Sequence, residues 1–221
     1  QESRGLGDVY KRQDLEKYRP DPIKELKFRE HFQLSENQKV IICVGLFFAR
    51  KGIIDFVDIA KKMPEYTFIW FGHVPMYSIP KNIRKIVKED HPDNVIFPGY
   101  ISGKIIEGAY SGADLFFFPS YEETEGIVVL EALASKQNVL VRDIPVYNGW
   151  LEDRKNCYMG NTNDEFCEMI KSIIEEEVPS LVEAGYQTAQ ERSIEKIGEQ
   201  LRNVYLQVLD LSLIHISEPT R

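Results

Sequence analysis

The segment that decides the fold is ETEGIVVLEALA, residues 123–134. It follows the apolar run DLFFFPS, residues 114–120, which predicts a fully buried strand that ends at Pro119. After a short acidic loop, Gly126 precedes a segment of helix formers that is apolar nearly all round, and such a helix is expected to be buried. The segment therefore predicts a strand, a loop and a buried helix in that order.

Glu131 is the exception on this helix, because it is a carboxylate among apolar side chains. A buried charge without a partner is strongly destabilising, so we expect either another residue or the hydroxyl groups of a ligand to pair with it. The helix N-terminus near Gly126 attracts phosphate, and Glu123 and Glu131 would lie about 12 Å apart if helical rise applied throughout. A nucleotide sugar, with hydroxyls at both ends and a diphosphate between them, fits this arrangement.

Strands alternate with helices along the rest of the chain. Apolar runs predict further strands at residues 40–44, 68–71, 95–101 and 138–141. Helical periodicity lies in residues 23–32, 52–63, 83–88, 104–111, 166–176, where residues 163–165 form the cap, and 194–209. The alternation predicts an α/β fold with a doubly wound, Rossmann-like parallel sheet and helices on both faces. Ligands of such sheets bind beyond the carboxyl ends of the strands.

Composition excludes several classes of protein. The hydrophobic content of 43% and charged content of 28% are those of a soluble globular protein, and the net charge of −8 argues against nucleic-acid binding. No apolar run approaches the ~18 residues that span a bilayer. Cys43, Cys157 and Cys167 lack a C-x-x-C spacing and are expected to be buried thiols in a reducing cytoplasm.

The two ends of the chain do not continue the periodicity of their neighbours. Residues 1–13 and 211–221 resemble translated sequencing-adapter text, so we expect both to be non-native extensions. Residues 14–22, which contain Pro20 and Pro22, predict an extended interdomain linker. Residues 23–210 predict one nucleotide-sugar-binding domain.

Glu123 and Glu131 form an E-x7-E pattern that resembles the signature of family 4 retaining glycosyltransferases. The wording EETEGIVVLEALAS, residues 122–135, is most similar to bacterial diacylglycerol glucosyltransferases. The resemblance implies the C-terminal, donor-binding half of a two-domain GT-B architecture. It also implies that Glu123 contacts the donor hexose, that Glu131 binds the ribose hydroxyls, and that the backbone amides of residues 126–128 hold the diphosphate.

The loop GLFFARKG, residues 45–52, resembles the family's V-G-R-L-x-x-x-K-G loop, whose cations neutralise the diphosphate. Lys51 matches the lysine of that pattern, whereas Leu46 stands where the family has arginine. Arg50 is the candidate replacement for the missing charge. The alternative is that Arg50 and Lys51 are solvated helix-cap residues.

Two further loops follow predicted strands. The segment GHVP, residues 72–75, resembles a G-x-G-P loop in which Val74 replaces glycine, and His73 is expected to be structural. The segment VIFPGYI, residues 95–101, resembles V-x-F-x-G-x-V, where backbone groups near Tyr100 and Ile101 read the nucleobase edge. Tyr100 as a plain packing or lid aromatic is the alternative there.

The resemblance implies a retaining hexosyltransferase that transfers glucose from a nucleotide sugar, with UDP-glucose the leading donor, to a lipid acceptor such as diacylglycerol. The expected catalytic residues are Glu123, Lys51 and Arg50. The expected donor contacts are Gly45, Gly72, Tyr100, Ile101, Glu123, Gly126, Ile127, Val128 and Glu131.

No metal or other cofactor is expected, because the helix N-terminus and Lys51 take the role of a cation, and the sequence has no D-x-D motif or His/Cys ligand cluster. The lipid acceptor and the membrane surface are expected to contact mainly an N-terminal domain outside this chain. The enzyme is therefore expected in the cytoplasm, at the inner face of the membrane, and this chain alone is expected to bind donor without turnover.

Three alternatives stay open. The first alternative is a non-catalytic nucleotide-sugar-binding module. The second is a family 4 enzyme with a different donor and a polysaccharide acceptor. The third alternative is a generic doubly wound interaction domain in which Glu123 and Glu131 form internal salt bridges. The donor base, the acceptor and the linkage are not determined by these residues.

Overall fold

The computed structural model describes the backbone of residues 15–217 and the side chains of residues 15–209. Its sheet has six strands: Val40–Val44 (β1), Thr67–Phe71 (β2), Val95–Gly99 (β3), Leu115–Phe118 (β4), Val139–Arg142 (β5) and Tyr158–Gly160 (β6). Every neighbouring pair is parallel, and the strand order is β3-β2-β1-β4-β5-β6. The predicted doubly wound parallel sheet is therefore confirmed.

Helices connect these strands. They are Pro22–His31 (α1), Ile53–Lys62 (α2), Lys81–Lys88 (α3), Lys104–Gly112 (α4), Ile127–Ala134 (α5), Asn163–Ile174 (α6), Val182–Glu191 (α7) and Ile194–Ser217 (α8). They pack in two groups, α2 with α3 and α6, and α1 with α4 followed by α5 and α7. This grouping corresponds to helices on both faces of the sheet.

Strand β4 shows how the core is divided between the two faces. Phe116 and Phe117 are fully buried, and successive side chains of a strand point to opposite faces. The Phe116 ring lies 5.7 Å from that of Tyr110 on α4, whereas the Phe117 ring lies 4.9 Å from that of Phe166 on α6. A strand that is buried on both sides is one continuous apolar run, and the prediction of a fully buried strand here is confirmed.

The order of the strands places a crevice between β1 and β4. The chain winds outward from β1 to β3 and then returns to β4 on the other side of β1. Ile41 pairs with Leu115 and Ile42 with Phe116, so these two strands are adjacent although more than 70 residues separate them. Open α/β sheets bind ligands at the carboxyl ends of the strands where the strand order reverses in this way.

The predicted extended linker is wrong in its conformation. Residues 15–18 form turns, and Pro22 is already the first residue of α1. The Asp21 side chain accepts a hydrogen bond from the Ile23 amide, and proline is favoured in the first helical turn because its missing N–H has no partner there in any case. The predicted extension, residues 1–13, lies outside the described residues.

Three other expectations differ from the structure in the C-terminal third. Helix α6 begins at Asn163 rather than Phe166, because Thr162 and Glu165 form a capping box. Helix α7 was not predicted at all. Helix α8 continues to Ser217, into the segment expected to be a non-native tail, and the origin of residues 211–221 stays a prediction.

The cysteines are free thiols, as predicted. Cys43 and Cys157 are buried, whereas Cys167 is half-buried. Burial raises the pKa of the Cys157 thiol to about 12, so this side chain is an uncharged core residue.

Candidate functional site

A cavity of 440 Å³ lies at the carboxyl ends of β1 and β4. Sites for small molecules typically enclose roughly 300–1,000 Å³. The cavity is lined by Val44, Gly45, Leu46, Arg50, Lys51, Phe118, Glu123, Thr124, Glu125, Gly126, Ile127 and Val128. Seven of the predicted site residues are in this set: Gly45, Arg50, Lys51, Glu123, Gly126, Ile127 and Val128.

The loops after β1 and β4 are packed directly against each other. Gly52 has a φ of +80°, and a Cβ atom there would lie 2.3 Å from the Pro119 carbonyl oxygen. The Tyr121 amide donates to the Arg50 carbonyl at 2.8 Å, which joins the two loops a second time. Because no side chain fits between them, Gly52 sets how closely Lys51 approaches the loop that carries Glu123.

Lys51 and Glu123 form an ion pair on the wall of the cavity. The Lys51 ammonium donates to Glu123 Oε1, and the Ser120 hydroxyl donates to the same oxygen at 2.7 Å. The two side chains are only 12% and 8% exposed. The alternative in which Lys51 is a solvated cap residue is therefore wrong. The internal salt bridge of the third alternative is present at Glu123.

Arg50 is exposed and lines the same cavity as Leu46. Its guanidinium lies 5.8 Å from the centre of the Phe48 ring, and Nη1 is 3.5 Å from the Glu122 carbonyl oxygen. Leu46 is 45% exposed beside it. Arg50 thus brings a second positive charge to the cavity whose wall includes the leucine that replaces the family's arginine.

Helix α5 begins at the cavity, because its first residues, Ile127 and Val128, are part of the lining. Gly126 precedes it with a φ of +77°, and a Cβ atom at this position would lie 2.9 Å from the Tyr147 ring. The first N–H groups of a helix have no partner within the helix, and together with the helix dipole they favour an anion at this end. Gly126 is therefore required both by the turn and by the buried ring behind it.

Tyr147 is a site neighbour that the sequence did not indicate. Its side chain is 1% exposed, and its hydroxyl has no hydrogen-bond partner among the residues the structure describes. Burial, followed by the negative charge of Glu123, raises the pKa of this phenol, so it stays protonated. It lies in a short helical turn after β5, far in sequence from Gly126.

Glu131 lies outside the lining of the cavity, one helical turn beyond Val128. The Tyr18 hydroxyl donates to Oε1 at 2.6 Å, and the Tyr110 hydroxyl donates to Oε2 at 2.5 Å. Burial raises the pKa of the Glu131 carboxyl, and the hydrogen bonds from Tyr110 and Tyr18 and the charge of Lys17 oppose that rise. The partner predicted for this carboxylate is thus supplied by two tyrosines of the chain.

The other predicted donor contacts do not line this cavity. Gly72 lies directly beside it, because a Cβ atom at Gly72 would be 1.9 Å from the Gly45 carbonyl oxygen. The Gly72 amide donates to the Gly99 carbonyl at 3.0 Å, and Tyr100, which is 76% exposed, follows with the half-buried Ile101. These residues continue the same rim of the sheet along the ends of β2 and β3.

A second cavity, of 690 Å³, lies where the loop after β5 meets α7 and α8. Its lining includes Trp150 and Arg192 but none of the predicted site residues. We place the candidate site in the smaller cavity, because that cavity alone of these two combines a helix N-terminus with Lys51 and Glu123.

Within residues 15–209 no group of three or more His, Cys, Asp or Glu side chains is arranged to hold a metal ion. None of the described helices has the length and apolar character that crossing a bilayer requires.

Residues 24–192 match the family described as glycosyl transferases group 1. A processive diacylglycerol alpha-glucosyltransferase from Acholeplasma laidlawii is 50% identical over 198 residues, which cover 90% of this chain and 59% of that protein. An alpha-galactosylglucosyldiacylglycerol synthase from Streptococcus pneumoniae is 32% identical over 195 residues, covering 86% of this chain and 51% of that protein. The chain thus spans between half and two thirds of the length of these relatives.

Among solved structures, Anabaena HepE in complex with UDP-glucose has a TM-score of 0.76 at 18% identity, covering 89% of this chain and 56% of HepE. At that identity the likeness shows the fold alone. The sequence matches confirm the resemblance to the family and to diacylglycerol glucosyltransferases within it. The chain therefore belongs to the family of glycosyl transferases group 1.

Proposed function

We propose that this chain is the donor-binding part of a retaining hexosyltransferase that moves glucose from UDP-glucose to a lipid acceptor such as diacylglycerol. The observation that carries the proposal is the cavity in which Lys51, Arg50 and Glu123 meet the N-terminus of α5. The names of two relatives, a diacylglycerol alpha-glucosyltransferase and an alpha-galactosylglucosyldiacylglycerol synthase, support a lipid acceptor, and the complex of HepE with UDP-glucose supports the donor class.

The diphosphate of the donor lies over the N-terminus of α5 in this proposal. The amides of Ile127 and Val128 begin the helix there, and Lys51 and Arg50 line the same cavity. When the bond to the hexose breaks, negative charge accumulates on the departing nucleoside diphosphate. Fixed cations and oriented N–H groups stabilise that charge more strongly in the transition state than in the ground state.

Glu123 orients the hexose. Its Oε1 already accepts from Lys51 and Ser120, so these two donors fix the carboxylate while Oε2 remains to accept a sugar hydroxyl. Because Lys51 contacts Glu123 and lines the cavity that the diphosphate enters in this proposal, one ammonium links the sugar contact to the leaving group. Same-face attack, in which the leaving phosphate takes the acceptor's proton, accounts for retention of configuration.

The remaining donor contacts follow the rim. Glu131 accepts the ribose hydroxyls, and the backbone of Gly72, Tyr100 and Ile101 contacts the nucleobase. The positive charge at the diphosphate comes from Arg50, Lys51 and α5, so donor binding needs no metal cofactor. We further propose that the enzyme works at the cytoplasmic face of the membrane, and that the acceptor is bound mainly by the part of the relatives' length that this chain does not span.

Calorimetric titration of the full chain with UDP, ADP and GDP tests the proposal. We expect selective UDP binding that is unchanged in EDTA. Lys51→Met should weaken UDP binding at least about tenfold, because a charge-assisted contact to the diphosphate is lost. Lys61→Met is the matched control, since Lys61 is an exposed lysine on α2 that pairs with Asp58 at 3.1 Å.

Two results would contradict the proposal. One is a folded chain, verified by circular dichroism, that binds none of the three nucleotides. The other is UDP binding that Lys51→Met and Lys61→Met weaken equally, which would place the nucleotide away from the cavity. Preference for ADP or GDP would keep the site and correct the donor.

A further inference from the structure

The two oxygens of Glu131 are held by two tyrosines that differ in how firmly they are fixed. Tyr110 donates to Oε2 and Tyr18 donates to Oε1, and their rings contact edge to face with centroids 5.3 Å apart. A carboxylate that accepts two hydroxyl hydrogen bonds side by side is suited to recognise the hydroxyl groups of a ligand. The question is which of the two phenols a ligand can replace.

Tyr110 is fixed in the core. It is 1% exposed, it stacks on Phe116, and its backbone carbonyl accepts a hydrogen bond from Gln137 at 3.1 Å. Moving this ring would open a void between α4 and the sheet, which is costly in a close-packed interior. We therefore expect Tyr110 to keep its hydrogen bond to Oε2 when a ligand binds, and this bond sets the orientation of the Glu131 carboxylate.

Tyr18 is less deeply buried than Tyr110 and lies in a turn outside the helices and strands. It is half-buried in the turn of residues 15–18, and its neighbours Lys17 and Arg19 are exposed. The turn is tied to α1 by the Lys24 ammonium, which donates to the Lys17 carbonyl at 3.1 Å and pairs with Glu107 at 2.9 Å. Displacing the Tyr18 hydroxyl thus requires a short turn to move while α1 and α4 stay in place.

Glu131 lies on α5 just beyond the last residue of that helix that lines the cavity. The lining of the cavity ends at Val128, and Glu131 is the next residue on the same stripe of α5, three positions further on. The Glu131 carboxylate is thus next along the helix from this wall, and its Oε1 accepts the Tyr18 hydroxyl.

We infer that the Tyr18 hydroxyl occupies the place of a ligand hydroxyl on Glu131 Oε1, so that the turn of residues 15–18 is an autoinhibitory strap and Tyr110 is a positioning residue. The inference rests on the proposed function, because the ligand it names is the ribose of the nucleoside diphosphate. Binding exchanges the phenol of Tyr18 for a ribose hydroxyl on the same oxygen. The Tyr110 hydrogen bond is unchanged by this exchange.

Titration of the full chain and its Tyr18→Phe variant with UDP and with 2′,3′-dideoxyuridine diphosphate tests the inference. Phenylalanine keeps the packing on Tyr110 and removes only the competing hydroxyl. We expect the variant to bind UDP about fivefold more tightly or better, since a hydrogen bond to a charged group no longer has to be exchanged. The dideoxy nucleotide should bind both proteins equally, because it brings no hydroxyl to Oε1.

Two further variants complete the experiment. Tyr110→Phe should weaken UDP binding about fivefold, because the Glu131 carboxylate loses the hydrogen bond that orients it. Binding of the dideoxy nucleotide should be nearly unchanged, since that nucleotide has no hydroxyl to donate to Glu131. Tyr205→Phe, at a 61% exposed position on α8, should change neither affinity.

The outcomes separate the inference from the function on which it rests. If the wild-type chain binds UDP but Tyr18→Phe binds it no better, or gains equally for both nucleotides, the strap is wrong and the donor site stands. If no folded variant binds either nucleotide, the proposed function is wrong and the strap with it.

Discussion

Two glutamates eight positions apart are stabilised in different ways in this molecule. Glu123, in a loop, is paired with the Lys51 ammonium and accepts from the Ser120 hydroxyl. Glu131, on a helix, accepts from the phenols of Tyr18 and Tyr110, and the charge of Lys17 opposes the rise in its pKa that burial causes. One carboxylate is neutralised by direct contact with a cation, and the other is satisfied chiefly by hydroxyl groups.

The difference indicates which glutamate can exchange its present partner for a group of a ligand. Separating Glu123 from Lys51 leaves two opposite charges in a poorly solvated place, so this pair is a fixed part of the cavity wall. Replacing a phenol on Glu131 by another hydroxyl changes no charge at all. The same residue type is therefore suited to rigid electrostatics at one end of the site and to hydroxyl recognition at the other.

The largest effect that separates the two carboxylates is expected from Lys51→Met. This change leaves the 8% exposed Glu123 without its cation, and we expect the free energy of unfolding to fall by about 3–5 kcal/mol. Urea unfolding followed by circular dichroism measures the change. The double variant Lys51→Met with Glu123→Gln should regain most of it, because the remaining amide carries no charge.

Lys61→Met, which removes an exposed i,i+3 pair, should stay within about 0.5 kcal/mol of the wild type. If the double variant is as unstable as Lys51→Met alone, the lysine stabilises the fold by packing on Phe118 rather than by neutralising Glu123. The conclusion that Glu123 is stabilised by its ion pair with Lys51 would then be wrong.

Local patterns predicted much of the fold because burial and helix formation leave direct marks on the sequence. The run of residues 115–118 is apolar because both its faces are covered, and helix α5 is apolar because it is surrounded. Helix α7 left no such mark. Its buried positions are Gly185, Thr188 and Ala189, small residues that let it pack closely on Leu133, so hydrophobic periodicity does not detect it.

The candidate site was predictable where it is built from a single loop and not where distant segments meet. Lys51 and Gly126 were found because each belongs to a strand-loop-helix unit with a recognisable spacing. Tyr18, Tyr110 and Tyr147 come from three other parts of the chain, and only the packing of α1 on α4 and of the turn after β5 brings them to the two glutamates. Such long-range contacts have no local sequence signal.

The pH dependence of stability distinguishes Glu131 from a solvent-exposed glutamate. Because burial raises the pKa of Glu131 above the ordinary value of about 4.3, the folded state binds its proton more tightly than the unfolded state. The contribution of this group is thus fully present below that ordinary value and is lost as pH rises through the raised pKa. Its slope is at most ~1.4 kcal/mol per pH unit.

Urea unfolding of the wild type and of Glu131→Gln between pH 4 and pH 7 isolates the contribution of Glu131 to the pH dependence of stability, since glutamine does not titrate. We expect the stability of the wild type relative to the variant to decrease with rising pH. A relative stability that increases with pH would mean that the tyrosines and Lys17 lower the pKa of Glu131 more than burial raises it.

The smallest effect concerns Tyr147, whose hydroxyl, unlike those of Tyr18 and Tyr110, has no partner among the described residues. Tyr147→Phe removes a buried polar group and keeps the ring contact with Trp150, so we expect the free energy of unfolding to rise by up to about 1 kcal/mol. Tyr110→Phe is the matched opposite, because it removes a hydroxyl that donates to Glu131, and it should be destabilising. Thermal and urea unfolding of the two variants give the signs directly. A loss of stability in Tyr147→Phe as large as that in Tyr110→Phe would show that the Tyr147 hydroxyl has a partner, and the nearby loop of Glu123 would be the first place to look for it.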